Sequence, residues 1–202
     1  MPEPLFSTSF EGILFVALVL LWIRSEVVSV RRNPWRGRGD GAEGRKGGMP
    51  KNRGSNLLLR ISLYGSIIAA FLLAGSNTTR LPQSFFYVGT VLMAVGILVR
   101  QWAISTLGRF FDLNLGVQQG QSVVDRGPYH LVRHPSYLGL SLTAIGIGVA
   151  LRSWGGVLVI LVLFGVALWY RMRVEEELLV SELGDDYIRY MRRTKRLIPF
   201  VW

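Results

Sequence analysis

The sequence predicts an all-α integral membrane protein of about five transmembrane helices, closing in a tight C-terminal helical hairpin and cytoplasmic tail helices. Three observations predict it. Half of the 202 residues are hydrophobic, and they gather in long runs rather than alternating with polar positions, which is the pattern of membrane spans and not of a soluble core. The basic residues, 23 Lys and Arg against 13 acidic residues, are segregated between those runs. The last two runs are separated only by Arg152 and Ser153, a connection so short that the two helices must be antiparallel neighbours.

Taken in order, Phe10 to Val28 is the first span, with Arg24 near one end where its long side chain can snorkel to the headgroups. The segment before it carries Glu3 and no basic residue, whereas a signal peptide requires a basic n-region, so this span is read as a retained helix. Leu57 to Ala74 and Phe85 to Ile104 are the second and third spans, joined by a short polar turn. Tyr137 to Leu151 and Trp154 to Tyr170 form the hairpin, and each is short against the roughly 20 residues a crossing takes. Residues 1–104 thus hold the N-terminal helices and residues 105–202 a separate C-terminal region.

Charge placement orients the whole. Residues 29–56 include Arg31, Arg32, Arg36, Arg38, Arg45, Lys46, Lys51 and Arg53, a composition that cannot bury much apolar surface and suits a mobile loop. If that loop is cytoplasmic, residues 105–136 and the tail from Arg171 fall on the same side, and only Arg80 and Arg152 fall opposite. The positive-inside rule then places the N-terminus outside and the C-terminus in the cytoplasm. The net charge of +10 is accounted for by anionic lipid, without nucleic acid. With no cysteine in the chain, thiol nucleophiles and cysteine-based metal sites are excluded. Gly89 with Gly96, and Gly139 with Gly146, recur seven apart, giving each helix a small-residue stripe for close approach of a neighbour.

Two polar clusters stand out. In Gly127-Pro128-Tyr129 and Arg133-His134-Pro135-Ser136-Tyr137, Pro135 fits the first turn of a helix, where its missing N–H would be unpaired anyway. Arg133 and His134 then sit at a helix N-terminus that favours an anionic group, although an interfacial belt of Tyr, His and Arg has the same composition. The second cluster, Arg171 to Glu177, places Arg171 with Glu175 and Arg173 with Glu177 on shared helix faces. Solvated ion pairs are the ordinary reading of such a run. The forced hairpin, however, brings the two clusters side by side. Gly184 can end the extended helix, and the basic, tyrosine-containing segment 185–196 suits either a membrane-surface anchor or a lid.

The order and spacing of Gly127-Pro128-Tyr129, Arg133-His134-Pro135-Ser136-Tyr137, Gly139, Arg173, Glu175-Glu176-Glu177, Gly184-Asp185-Asp186-Tyr187 and Ile198-Pro199 resemble the isoprenylcysteine carboxyl methyltransferase family and its phospholipid methyltransferase relatives over roughly residues 100–202. The resemblance implies a membrane methyltransferase using S-adenosylmethionine. It implies that Gln121, Ser122, Val123, Val124, Tyr129, His134, Pro135, Ser136, Tyr137 and Glu177, with Asn114, line the cofactor pocket, and that Arg173 holds the acceptor carboxylate. Arg173 and Glu177 are the catalytic pair on this reading.

Residue chemistry is compatible with it. Methyl transfer to a carboxylate needs positioning more than a base, because the nucleophile is already ionised. An arginine grips a carboxylate through two parallel hydrogen bonds, and tyrosine faces tolerate a sulfonium. An amine acceptor, as in phosphatidylethanolamine, would need a base, for which Glu176 or Glu177 is the candidate. The acceptor is expected to be lipid-like or prenylated, and the membrane to be the plasma membrane of a bacterium or the endoplasmic reticulum of a eukaryote. A nicotinamide-dependent enzyme of sterol-reductase type and a non-catalytic membrane scaffold are the rival classes, and cofactor binding separates them.

Overall fold

The computed structural model describes residues 5–31, 45–46, 51–75, 77–111, 117–118 and 121–198. The protein is an all-helical, multi-pass integral membrane protein. Four helical stretches are long and apolar enough to cross a membrane, within α1 (Ser9–Arg31), α2 (Lys51–Ala74), α3 (Ser84–Leu107) and the stretch Trp154–Leu183. A shorter apolar helix, α4 (Pro135–Ala150), precedes the last of these. That last stretch comprises α5 (Trp154–Val159), a π-helical turn over Ile160–Phe164, and α6 (Gly165–Leu183), and α7 (Asp185–Arg193) follows. A two-residue antiparallel ladder pairs Arg45 with Gln118 and Lys46 with Val117, tying the basic segment to the chain beyond α3. The rest of the predicted mobile loop lies outside the described residues.

Large apolar side chains point outward along the spans, among them Ile13, Leu72, Leu98 and Val166. Water would oppose such a surface, and lipid favours it. Without a hydrophobic force between helices in lipid, their association rests on close fit, and the glycine stripes supply it between α3 and α4. A Cβ on Gly139 would lie 2.5 Å from the backbone N of Arg100, and one on Gly96 2.6 Å from that of Thr143. Gly89 and Gly146 repeat the approach one heptad away, against Ala150 and Met93. The two stripes predicted separately are therefore the two sides of one interface.

The predicted hairpin is present. Arg152 adopts a left-handed conformation with φ 58°, and Ser153 caps α5 by accepting from the Gly156 amide at 3.0 Å, as an N-cap should. The Arg152 side chain donates to the Leu81 carbonyl at 3.0 Å, which fastens this turn to the one between α2 and α3. At the opposite end of the bundle, α6 stops where predicted, at Gly184 with φ 57°, and α7 folds back across the end.

Candidate functional site

The site lies where the C-terminal ends of α1, α3 and α6 meet the N-terminal ends of α2 and α4. A cavity of about 500 Å³ is there, within the size range of sites for cofactors and drug-sized ligands. Gln121, Ser122, Val123, Val124, Tyr129, His134, Ser136 and Tyr137 line it, joined by Glu175 and by Tyr187 and Tyr190 of α7. Its other walls are apolar faces of membrane helices, including Trp22 and Ile23 of α1 and Leu59, Leu63 and Tyr64 of α2. The indole N–H of Trp22 is buried and has no hydrogen-bond partner among the described residues.

The two polar clusters meet here. Pro135 opens α4 as predicted and is buried, but it does not line the cavity; its effect is to start the helix so that His134, Ser136 and Tyr137 face inward. The His134 and Tyr137 rings stack with centroids 5.6 Å apart. Tyr137 donates to Glu175 at 2.6 Å and accepts from Arg171 at 3.1 Å, and Arg171 also donates to Ser55 at 2.7 Å. Arg133 and Arg196 both donate to Glu176, and His134 lies 3.2 Å from the same carboxylate. The Glu176 side chain is 5% exposed, so this cluster is shielded from solvent and bonded on both oxygens.

Helix phase separates the residues of α6. Arg171, Glu175 and Leu178 face the cavity, and Glu176 is buried beside it. Arg173 and Glu177 lie on the opposite, exposed face, and neither lines the cavity. The Arg173 guanidinium instead sits 4.3 Å over the Trp169 ring. The pairing expected between the clusters is thus made by Glu175 and Glu176. Asn114 lies outside the described residues.

The chain after α6 closes over this end. Tyr190 donates to the Tyr129 carbonyl at 2.6 Å, and the backbone amides of Arg133 and His134 donate to the carbonyls of Lys195 and Arg196 at 2.8 and 3.1 Å. Of the two roles open to segment 185–196, the buried tyrosines support that of a lid. Burial, and next the Glu175 carboxylate, push the phenols of Tyr129 and Tyr187 well up; burial, and next Asp125, do the same for Tyr190. All three phenols are neutral at physiological pH, and that of Tyr190 is a donor.

Sequence reasoning missed one pair entirely. Arg100 of α3 is 4% exposed and lines the cavity with Glu26 of α1. The two form an ion pair, with one contact at 2.7 Å, and Arg100 reaches the Ser136 hydroxyl at 2.9 Å. The available signal was a charge inside each of two predicted spans, Glu26 in the first and Arg100 in the third, which in a membrane protein marks a site by default.

Three comparisons with known proteins agree in kind. The family model for phospholipid methyltransferases matches residues 84–186. Protein-S-isoprenylcysteine O-methyltransferase A of Arabidopsis thaliana is 32% identical over 119 residues, covering 56% of this chain and 58% of that one. The Schizosaccharomyces pombe protein-S-isoprenylcysteine O-methyltransferase is 34% identical over 113 residues, covering 47% and 46%, and the uncharacterized protein YpbQ of Bacillus subtilis is 27% identical over 124 residues, covering 61% and 71%. The chain therefore spans little more than half the length of the plant relative. Among solved structures, the eukaryotic intramembrane Ras methyltransferase isoprenylcysteine carboxyl methyltransferase superposes with a TM-score of 0.62 at 19% identity, covering 93% of this chain and 65% of that one; the fold is shared.

Proposed function

The chain belongs to the phospholipid methyltransferase family, and from that premise we propose that it is an S-adenosylmethionine-dependent membrane methyltransferase. Its acceptor is lipid-like, and the reaction is carboxyl O-methylation of the isoprenylcysteine type. The observation that carries this reading is that one cavity joins a polar end to the apolar faces of membrane helices. Such a shape suits a water-soluble cofactor at one end and an acceptor with an apolar tail at the other.

The residues present fit that cofactor. Gln121 to Val124 offer backbone and side-chain groups to an adenosine, Glu175 offers a carboxylate to an ammonium, and Tyr129, Tyr137 and Tyr187 offer aromatic faces to a cation. The cofactor supplies an electrophilic methyl group when bound. The protein's part is to orient the acceptor and to exclude water, which the α7 lid and the apolar walls accomplish.

Arg60, Arg100, Arg133 and Arg171 line the cavity wall; Arg100 is paired with Glu26 and Arg133 with Glu176, and we assign to Arg171, in place of the exposed Arg173, the holding of the acceptor carboxylate. A carboxylate is ionised at neutral pH, so no proton needs to move. Glu176, held by Arg133, Arg196 and His134, positions the loop that carries His134. Glu177, being exposed, has no role in this scheme. A phospholipid amine is the second acceptor class, and Glu175 favours it, since that carboxylate lines the cavity and could take the proton released. The basic segments face the cytoplasm in this arrangement, from which the cofactor comes.

The test is a radiolabelled methyl-transfer assay on the purified protein, with farnesylcysteine analogues and phosphatidylethanolamine offered in parallel. Base-labile label on the prenylated carboxylate supports the ester reading. Base-stable label on the amine alone would transfer the assignment to N-methylation, and no label on either would refute both.

A further inference from the structure

Segment 191–196, the last part of the lid, rims a second concavity of about 420 Å³ on the outside of the cap. Arg133 and Arg196 at this concavity are committed to Glu176, and Arg193 pairs with Asp125 at 2.6 Å. Arg192 and Lys195 are exposed, and among the described residues neither has an ion-pair partner. Large apolar side chains flank them. Val132 bridges in parallel to Lys195, and Leu131 and Ile198, close in sequence to the two sides of that bridge, are 48% and 47% exposed. The apolar helix α4 begins at Pro135, so this patch sits where the apolar belt of the bundle starts. Unpaired cations beside outward-facing Leu and Ile at such a boundary match a bilayer surface, with the apolar groups below the phosphates and the cations level with them.

We propose that Arg192 and Lys195, flanked by Leu131 and Ile198, dock the phosphate headgroup of an anionic lipid, and that this docking holds the cap closed. The link is direct. The carbonyls of Lys195 and Arg196 accept from the amides of Arg133 and His134, so a headgroup that fixes Lys195 also fixes the strand from which His134 enters the cavity. The two cations select an anionic partner, and the exposed Leu131 and Ile198 near the start of the apolar helix α4 select lipid over protein.

The test is amide hydrogen exchange on the full chain in nanodiscs of phosphatidylcholine alone and of phosphatidylcholine with roughly one third phosphatidylglycerol. The anionic discs are expected to slow exchange over 131–134 and 190–196 by about 5-fold or more, the contribution of one basic side chain near an anionic leaflet. Exchange in the α3 and α4 helices stays unchanged. The Arg192→Ala, Lys195→Ala double variant loses the lipid effect, Lys195→Arg keeps it, and molar salt removes it from the unmodified protein by screening. Equal exchange in the two discs would overturn the proposal, as would a double variant that responds like the parent. Equal protection by inorganic phosphate in neutral discs would overturn the lipid assignment. The readout is local opening and not methyl transfer, so it stands or fails apart from the enzymatic reading.

Discussion

Replacing Glu176 with Gln keeps the shape of the side chain and removes its charge. The carboxylate is 5% exposed, and its partners Arg133 and Arg196 are 10% and 20% exposed, so the change leaves two guanidinium groups facing each other in a shielded site with no counter-charge. Removing one member of a buried ionic cluster destabilises by roughly 3–5 kcal/mol. The partial exposure of Arg196 puts this case at the lower end, about 3 kcal/mol. For a chain of this size each kcal/mol shifts the melting temperature by about 2–4 °C, so a fall of about 6–12 °C is expected from thermal unfolding in detergent. The control is Glu177→Gln, next in sequence but on the exposed face, where a change within about 0.5 kcal/mol is expected. Equal shifts for the two variants, or a larger one for Glu177→Gln, would refute the assignment of Glu176 as the buried hub.

Other consequences can be checked in the same way. Gly139→Ala puts a methyl group 2.5 Å from the Arg100 amide nitrogen and is expected to abolish the folded, monodisperse protein on size-exclusion chromatography, whereas Gly165→Ala meets nothing within 4 Å and should stabilise by about 0.5–1 kcal/mol. Tyr190→Phe removes the buried bond to the Tyr129 carbonyl, at a loss of about 1–3 kcal/mol, and should speed exchange of the α7 amides. Arg171→Ala should reduce methyl transfer by about 100-fold or more, the scale of losing a buried charge-assisted contact, and Arg173→Ala should leave it within a few-fold; the reverse order would return the acceptor role to Arg173.

The spans, the hairpin and both glycine stripes were legible because each rests on a local pattern: an apolar run, a two-residue connection, a seven-residue recurrence. That Gly89 and Gly96 would face Gly146 and Gly139 was not, since nothing local says which stripe meets which. The polar clusters were legible as clusters, while the phase of α6 was not. Arg171 with Glu175 and Arg173 with Glu177 are equivalent by spacing, and the π-turn at Ile160–Phe164 inserts a residue that rotates everything after it relative to the apolar run before it. Glu26 and Arg100 are 74 residues apart in sequence, and only the packing of α1 on α3 makes them partners. The tail could be narrowed to an anchor or a lid from its composition, and the bonds from Tyr190 and the 195–196 carbonyls favour the lid.

The central claim is tested most directly by isothermal titration of the purified, detergent-solubilised protein with S-adenosylmethionine. One saturable site is expected, competed by S-adenosylhomocysteine and lost in Tyr137→Ala and His134→Ala variants that remain folded and monodisperse. Absence of binding to the folded protein, or saturable binding of NADPH in its place, would contradict the account.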